Sequence, residues 1–314
     1  MGVITLDIFK TKKTSITFES IFNEWLENKR RSLKKSSIST YTYLTKKYLF
    51  PQLKSLNLKQ MEKYDYTVIS EDLEEDYAPK SVRDILVILK SILRYANDEY
   101  NSKIKVKKIV LPKLDSKPID ILSKNEKLNL EEYCIKEKSL KSIGILISMN
   151  TGMRIGEICA LKWENIDLEK REIKVRYTLE RIYNEDLKKT EIIIDTPKSQ
   201  KSIRNIQINN KLLKTLKSIS YRYNNNNFFL TGKDDKYMEP SVYRYNFKKI
   251  LKKSKIKTEY KFHMLRHTFA TSCISVGMDI KTLSELLGHA SIEITLNLYV
   301  HSSYETKKKY LEKL

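Results

Sequence analysis

The sequence has little cysteine and no long apolar run, and both absences narrow the kinds of protein it can encode. Its three cysteines, Cys134, Cys159 and Cys273, are far apart and lie among apolar neighbours. This spacing fits neither a disulfide framework nor a zinc knuckle, so we interpret them as buried reduced thiols. No segment approaches the roughly 18 apolar residues needed to span a bilayer, and the first residues lack the apolar stretch of a signal peptide. We therefore expect a soluble cytoplasmic protein with no membrane partner.

Acidic residues are also in short supply. The 314 residues include 60 Lys and Arg against 39 Asp and Glu, a formal net charge of +21 at pH 7. An excess of this size favours a polyanionic partner, and nucleic acid before an anionic membrane. Biased codon use is the competing explanation, because the chain is rich in Lys, Asn and Ile. Such a bias should raise Glu together with Lys, so it does not readily explain a surplus of one sign.

The N-terminal third of the chain predicts a small all-helical unit. Thr17 is a candidate N-cap for a helix in which apolar residues recur at helical spacing. A second helix is predicted over residues 36–51 and is expected to end at Pro51. Residues 79–100 repeat apolar residues at helical spacing and predict a strongly amphipathic helix.

The stretch VKKIVLPKLDSKPID carries Pro112 and Pro118 among lysines and has no clear periodicity, so we predict the domain boundary there, with a linker over residues 113–121. It would separate a helical domain, residues 1–112, from a second domain, residues 122–314, in which Ser123 is a possible helix cap. An ordinary surface loop explains residues 113–121 equally well. In the second domain apolar and polar residues alternate in EIKVRYTL, TEIIIDTPKS and SIRNIQIN. These segments predict a small antiparallel sheet inserted between helices, in a mainly α protein.

An arginine stands near the start of a predicted helix in NTGMRIGEICALKW. After a turn at Thr151 and Gly152, Arg154 would lie in the first helical turn, where the helix dipole disfavours a cation. An anion could share the site. Alternatively, Arg154 could reach Glu157, one turn along on the same face.

A histidine and an arginine are three residues apart in KFHMLRHTFATSC, so a helix would place His263 and Arg266 on one face. Arginine binds phosphate oxygens bidentately, and imidazole can donate a hydrogen bond or move a proton, so the pair suits a phosphodiester. His267 follows His263 at the i, i+4 spacing of some zinc sites. We expect no metal, because the HExxH glutamate and a third ligand are absent, and interpret His267 as structural.

A third cluster closes the set of candidate residues. Gly288 is predicted to end a helix as its C-cap, which leaves His289 just beyond, on a rigid turn. Tyr299 follows after a further short helix. One tyrosine among twenty is ordinarily a packing residue, and Tyr299 is a candidate only because it follows the other candidate residues in the chain.

The order of these elements carries a resemblance. TGMRIGE, TPKS, HMLRH, LGH and then Tyr299, followed by Val300 and His301, resemble the catalytic half of the tyrosine recombinase, or phage integrase, family. The similarity extends from about Ser123 to His301. The N-terminal unit is similar to the family's core-binding domain in size and position only. The resemblance implies a two-domain DNA clamp, with a helical core-binding domain and a mixed α/β catalytic domain.

The resemblance also implies a catalytic set, which maps onto Arg154, Lys198, His263, Arg266, His289 and Tyr299. The arginines would hold the scissile phosphate, the lysine would protonate the departing 5′ oxygen, and the histidines would assist by hydrogen bonding and proton transfer. The tyrosine would be the nucleophile. Lys201 is the competing choice for the lysine; Lys198 is preferred because the family places its lysine in a turn between two strands. Glu157 matches an acidic residue that would orient the site.

The chemistry of such a site is physically consistent without a cofactor. A phenol with a pKa of about 10 is a poor nucleophile at neutral pH, so the site must stabilise both a phenolate and a doubly charged pentacoordinate phosphate. Two arginines, a lysine and two histidines supply that charge without a metal. A 3′-phosphotyrosine stores the phosphodiester's energy, so rejoining needs neither ATP nor Mg²⁺.

The family's partners are implied in the same way: double-stranded recombination sites, a tetramer of identical chains on DNA, and accessory DNA-bending or directionality factors. A tail helix after Tyr299 could dock on a neighbouring subunit, although a frayed terminus is an alternative. The resemblance favours a mobile element in a prokaryotic cell and a location at the nucleoid. A type IB topoisomerase and a non-catalytic DNA-binding protein on a recombinase scaffold are the competing functions. Candidate phosphate contacts in the first domain are Lys34, Lys35, Lys46, Lys47, Lys80 and Arg83.

Overall fold

The structure is a computed structural model that describes residues 16–114, 120–184, 188–197, 200–289, 291–293, 295–296 and 312. It forms two compact units. Of the described residues, unit 1 holds 16–114, 181–184 and 188–191, and unit 2 holds the others. Within these ranges no helix is long and apolar enough to cross a membrane.

Unit 1 is helical. Its helices are α1 (Phe18–Arg30), α2 (Lys35–Leu44), α3 (Phe50–Leu53), α4 (Leu58–Lys63), α5 (Thr67–Asp76) and α6 (Pro79–Tyr100). Thr17 is the N-cap of α1, as predicted, and its hydroxyl accepts a hydrogen bond from the backbone of Ser20. The apolar stripe of α6 supplies much of the core. The indole of Trp25 in α1 donates to the hydroxyl of Ser91 in α6 at 3.2 Å, which ties the two helices together.

The prediction that Pro51 ends the second helix is wrong. Residues Thr45–Leu49 form a π-helical turn after α2, and Pro51 lies in the first turn of the next helix, α3. The backbone stays helical from α2 through the π-helical turn into α3, and the N–H of Phe50 donates to the carbonyl of Thr45, five residues back. Pro51 therefore follows directly on a turn in which the hydrogen-bond spacing has already changed, and the helix continues past it.

Unit 2 surrounds a buried central helix. Its helices are α7 (Lys124–Glu137), α8 (Leu140–Thr151), α9 (Ile155–Cys159), α10 (Asn210–Ser220), α11 (Pro240–Lys253), α12 (Met264–Ser275) and α13 (Ile280–Leu287). The central helix is α8, most of whose residues are buried. Ser123 caps α7 as predicted, since its hydroxyl accepts from the backbone N–H of Glu126.

The predicted single sheet is two separate sheets. Strands β1 (Ile166–Asp167), β2 (Glu172–Val175) and β5 (Arg204–Gln207) form an antiparallel sheet in the order β1-β2-β5. Strands β3 (Thr178–Asn184) and β4 (Lys189–Asp195) form a two-stranded sheet of their own. The alternating segment EIKVRYTL is thus divided between β2 and β3, which periodicity alone does not reveal. The register pairs Val175 with Arg204, at the first residue of β5.

Two adjacent residues of α6 test the assignment of its core face. Leu86 is fully buried, whereas Val87 is 48% exposed. We expect Leu86→Ala to lower the free energy of unfolding by about 2–5 kcal/mol, because the truncation leaves a cavity. Val87→Ala should change it by less than about 0.5 kcal/mol. Urea unfolding followed by circular dichroism measures both, and equal losses would contradict the assignment.

Candidate active site

Most of the predicted site residues that the structure describes lie at the ends of elements in unit 2. Helix α8 ends at Gly152, whose backbone is left-handed with φ of 66°, and Arg154 then forms the N-cap of α9. The prediction placed Arg154 within the first helical turn, but its extended backbone leaves it just before that turn. His263 precedes α12 as its N-cap. Gly288, with φ of 63°, ends α13 as predicted and leaves His289 immediately after it.

A buried carboxylate joins two arginines. Glu157 is 2% exposed and accepts hydrogen bonds from the backbone N–H of Arg154 at 2.9 Å and from its Nη1 at 2.8 Å. The same carboxylate receives both terminal nitrogens of Arg204, at 3.1 and 3.0 Å. Burial by itself would raise the pKa of Glu157, but the charges of Arg204 and Arg154 and their hydrogen bonds hold it below its ordinary value. Glu157 is therefore a carboxylate at neutral pH.

Three consecutive carbonyl groups at the C-terminal end of α13 each accept a hydrogen bond from a different arginine. The pairs are Arg204 Nε with Leu286 O at 2.6 Å, Arg266 Nη2 with Leu287 O at 2.7 Å, and Arg154 Nη2 with Gly288 O at 3.2 Å. The last carbonyls of a helix lack intrahelical partners and carry the negative end of its dipole. The end of α13 thus positions three guanidinium groups.

Arg266 is a buried cation without a counter-charge. It is 3% exposed, and its second terminal nitrogen donates to the carbonyl of Gly152 at 2.8 Å. No carboxylate pairs with it in the described part of the chain. Burial, followed by the charge of Arg154, lowers the pKa of Arg266 to about 8. It stays protonated at neutral pH, and an anion beside it would be strongly favoured.

The two candidate histidines are neutral at neutral pH. His289 is 8% exposed, and its Nδ1 lies 2.8 Å from the hydroxyl of Thr295. Burial, then the charges of Arg266 and Arg154, lower the pKa of His289 to about 3. Desolvation by the neighbouring protein, followed by the charges of His267 and Arg266, also lowers the pKa of His263, although the residue as a whole is exposed. Each imidazole can therefore donate one hydrogen bond and accept another.

His263 and His267 are the pair whose spacing resembles that of some zinc sites. The two rings meet edge to face, with centroids 4.7 Å apart. Among the described residues no three His, Cys, Asp or Glu side chains are grouped so that they could hold a metal ion.

Two of the predicted residues, Lys198 and Tyr299, lie outside the described residues. The competing lysine, Lys201, is exposed in a short 3₁₀ turn, Gln200–Ser202, just before β5. Ser202 in that turn donates a hydrogen bond to the carbonyl of Gly288 at 3.2 Å. The turn therefore contacts the end of α13, while the choice between the two lysines stays a prediction.

Arg204 belongs to the site and was missed by the sequence analysis. In β5 the odd-numbered neighbours Asn205 and Gln207 are exposed, while Arg204 and Ile206 are buried. A charged residue in phase with the buried positions of a strand requires a buried partner. The alternation in SIRNIQIN contains that signal, but not the identity of the partner, Glu157.

Several of the candidate DNA contacts of unit 1 have intramolecular partners. Lys80 pairs with Asp84 at 2.5 Å, and Arg83 donates to the carbonyl of Pro112 at 2.9 Å. Lys47 lies over the rings of Tyr43 and Tyr48. The others are close by: Lys34 caps α2, Lys35 begins it, and Lys46 lies in the π-helical turn. Arg83 thus fixes the segment that leads to the predicted linker.

Two family models match the chain: "Phage integrase family" over residues 120–306 and "Phage integrase, N-terminal SAM-like domain" over residues 17–67. The chain belongs to the phage integrase family. It is thus a tyrosine recombinase, an enzyme that breaks and rejoins DNA strands, as the order of its motifs predicts.

Known relatives agree with this assignment. A "Tyrosine recombinase XerC-like" of Caldanaerobacter subterraneus subsp. tengcongensis is 31% identical over 77% of this chain and 67% of the relative. The ICEBs1 integrase of Bacillus subtilis is 24% identical over 96% of this chain and 84% of the relative. These similarities give no support to the topoisomerase or the non-catalytic alternative.

Solved structures of the family share the fold. The Tn1549 transposon integrase in complex with a circular intermediate DNA has a TM-score of 0.75 and 20% identity, covering 95% of this chain and 100% of that chain. The lambda integrase tetramer bound to a Holliday junction has a TM-score of 0.63 and 15% identity, covering 90% and 77%. The predicted fold class, mainly α with a small β component in two domains, is confirmed.

The shared carboxylate yields a stability prediction. We expect Glu157→Gln to lower the free energy of unfolding by about 3–5 kcal/mol at neutral pH, because Arg204 keeps its buried charge and loses its partner. Because the folded pKa of Glu157 is depressed, its contribution is present above the unfolded value of about 4.3 and is lost as the pH falls through the folded pKa. The difference between variant and wild type should therefore shrink in acid.

Denaturant unfolding at several pH values measures this effect, with the exposed Glu164→Gln as the control. A constant difference between Glu157→Gln and wild type at every pH would contradict the assigned ion pairs.

Proposed function

We propose that this tyrosine recombinase cuts and rejoins double-stranded DNA at specific sites through a covalent 3′ link to Tyr299, and that it serves a mobile element. One observation carries the proposal: the guanidiniums of Arg154 and Arg266 are held on adjacent carbonyls, beside two neutral imidazoles. Relatives with the printed names ICEBs1 integrase and "Transposase from transposon Tn916" support the link to mobile elements.

The arginines would bind the scissile phosphate through its non-bridging oxygens. Arg154, Arg204 and Arg266 bring three positive charges, and Glu157 cancels one of them. The remaining excess matches the two negative charges of a pentacoordinate phosphate. These groups are already fixed by hydrogen bonds, so little reorganisation accompanies the development of charge.

Bond exchange would then need a nucleophile and a proton donor. The oxygen of Tyr299 attacks phosphorus, the bond to the 5′ oxygen breaks, and Lys198 gives that oxygen a proton. His263 and His289, both neutral, would hydrogen-bond the phosphate or take up the tyrosine's proton. Attack by a 5′ hydroxyl of another strand reverses these steps and releases the tyrosine.

We further propose a division of labour along the chain. Residues 1–112 would hold DNA as a core-binding domain, residues 113–121 would link, and residues 122–314 would carry out catalysis. The lysines and arginine predicted in unit 1 would contact phosphates, and those that have partners in the protein would exchange them. A tetramer on DNA is supported by the relatives solved on DNA, one of them as a tetramer on a Holliday junction. The place of action that we propose, the nucleoid, follows from the DNA substrate.

Loss of the phenol should abolish covalent attachment to DNA. We expect the wild-type protein to form an adduct with nicked duplexes from DNA flanking its gene, detected on a denaturing gel with EDTA present. Tyr299→Phe should form none, because it lacks the attacking oxygen. Persistence of the adduct in Tyr299→Phe would overturn the assignment of the nucleophile.

The choice of lysine can be tested by changing the leaving group. A thiolate at the 5′ bridging position leaves without protonation, so a sulfur-substituted DNA should restore cleavage to a variant that lacks its proton donor. We expect Lys198→Ala to be slow on ordinary DNA and close to wild type on the sulfur-substituted DNA, measured as the rate of adduct formation. If Lys201→Ala shows this rescue and Lys198→Ala does not, Lys201 is the donor.

A further inference from the structure

A cavity of about 570 Å³ lies in unit 2 against the candidate active site. Arg154, His263 and Arg266 are among the residues that line it. Its lining also has an apolar part, in which Phe247 of α11 packs edge to face on Phe262 at a centroid distance of 5.2 Å. The cavity therefore adjoins the groups that would bind the scissile phosphate.

Three further cationic side chains line the same cavity. Arg244 and Lys248 come from α11, and Lys261 from the segment before α12. Arg244 and Lys261 are exposed, and neither forms an ion pair within the described ranges. Lys248 pairs with Glu259 at 3.4 Å, with the two side chains 58% and 79% exposed. An ion pair this exposed contributes little to the stability of the fold, and either side chain can readily pair with another ion instead.

The charges around the cavity repel one another. Five cationic side chains line it, these three together with Arg154 and Arg266, and Glu259 is its one lining carboxylate among the described residues. An anion bound by Arg244 and Lys261 would relieve this repulsion, just as an anion bound by Arg154 and Arg266 would. A strand of duplex DNA carries one phosphate for every roughly 3.4 Å of helix axis. A scissile phosphate on the arginines therefore brings a second phosphate close by.

We propose that Arg244 and Lys261 bind the backbone phosphate next to the scissile one, and that Lys248 exchanges Glu259 for the same strand. The apolar part of the lining, which includes Phe247 and Phe262, accommodates the deoxyribose between the two phosphates. This inference rests on the proposed function, because it takes the site of Arg154 and Arg266 as the scissile-phosphate site. It adds a binding subsite that fixes the strand on one side of the reacting bond.

The test measures the affinity of Tyr299→Phe protein, which cannot cleave, for the duplex that gives the adduct. We expect Arg244→Gln in that background to reduce the slope of log affinity against log salt by about 0.9, the effect of one lost phosphate contact. The matched control is Lys217→Gln, an exposed residue of α10 outside the cavity, which should leave the slope unchanged. Equal slopes for Arg244→Gln and the control would overturn the proposal.

Neutral methylphosphonates, placed one at a time on either side of the scissile phosphate, locate the contact. One flanking position should weaken binding by about tenfold or more when Arg244 is present, and by much less in Arg244→Gln. Equal weakening in both proteins at every position would sink the subsite. Failure of the wild-type protein to form any adduct would count against the proposed function, so the two failures are distinguishable.

Discussion

The carbonyl groups of Leu286, Leu287 and Gly288 are unpaired within α13, and each instead receives a guanidinium from another part of the chain. This single helix end relates α9, β5 and α12, which are distant in sequence. Gly288 is required for it, since a Cβ there would lie 3.0 Å from Ser202 Cα and 3.1 Å from the carbonyl of Lys201. The left-handed glycine thus allows the turn before β5 to approach α13 closely.

This arrangement leaves an excess of buried positive charge. The carboxylate of Glu157 neutralises one of the three guanidinium charges, and the carbonyl dipoles stabilise part of the remaining charge. Arg266 has only carbonyl acceptors, at 2.8 and 2.7 Å. A phosphodiester completes the site electrostatically, so substrate binding and the stabilisation of the folded site draw on the same charges.

Local signals were enough to predict part of this structure. Thr17 and Ser123 cap their helices because capping depends on residues three positions apart, and Gly288 ends α13 because only glycine readily adopts that backbone. The order of motifs predicts Arg154 and Arg266 as site residues; the structure places both guanidiniums on adjacent carbonyls, and their catalytic assignment stays a prediction. Lys198 and Tyr299 stay predictions as well.

The sequence does not show which residues pair with each other when they are far apart along the chain. Arg204 and Glu157 are 47 residues apart, and nothing local states that they meet. The same limit explains why one sheet was predicted where two exist. At Pro51 the error was of another kind, because the π-helical turn before this proline changes the hydrogen-bond spacing and lets the helix continue.

Glu157 forms ion pairs with two arginines from separate segments, so α9 and β5 depend on one another for their charge balance. A chimaera of two relatives that took residues 155–159 from one parent and 204–207 from the other would keep its site only if both parents carried the same acid–arginine match. Crossover points in family shuffling are therefore best placed outside residues 154–207, where no shared counter-ion is divided between parents.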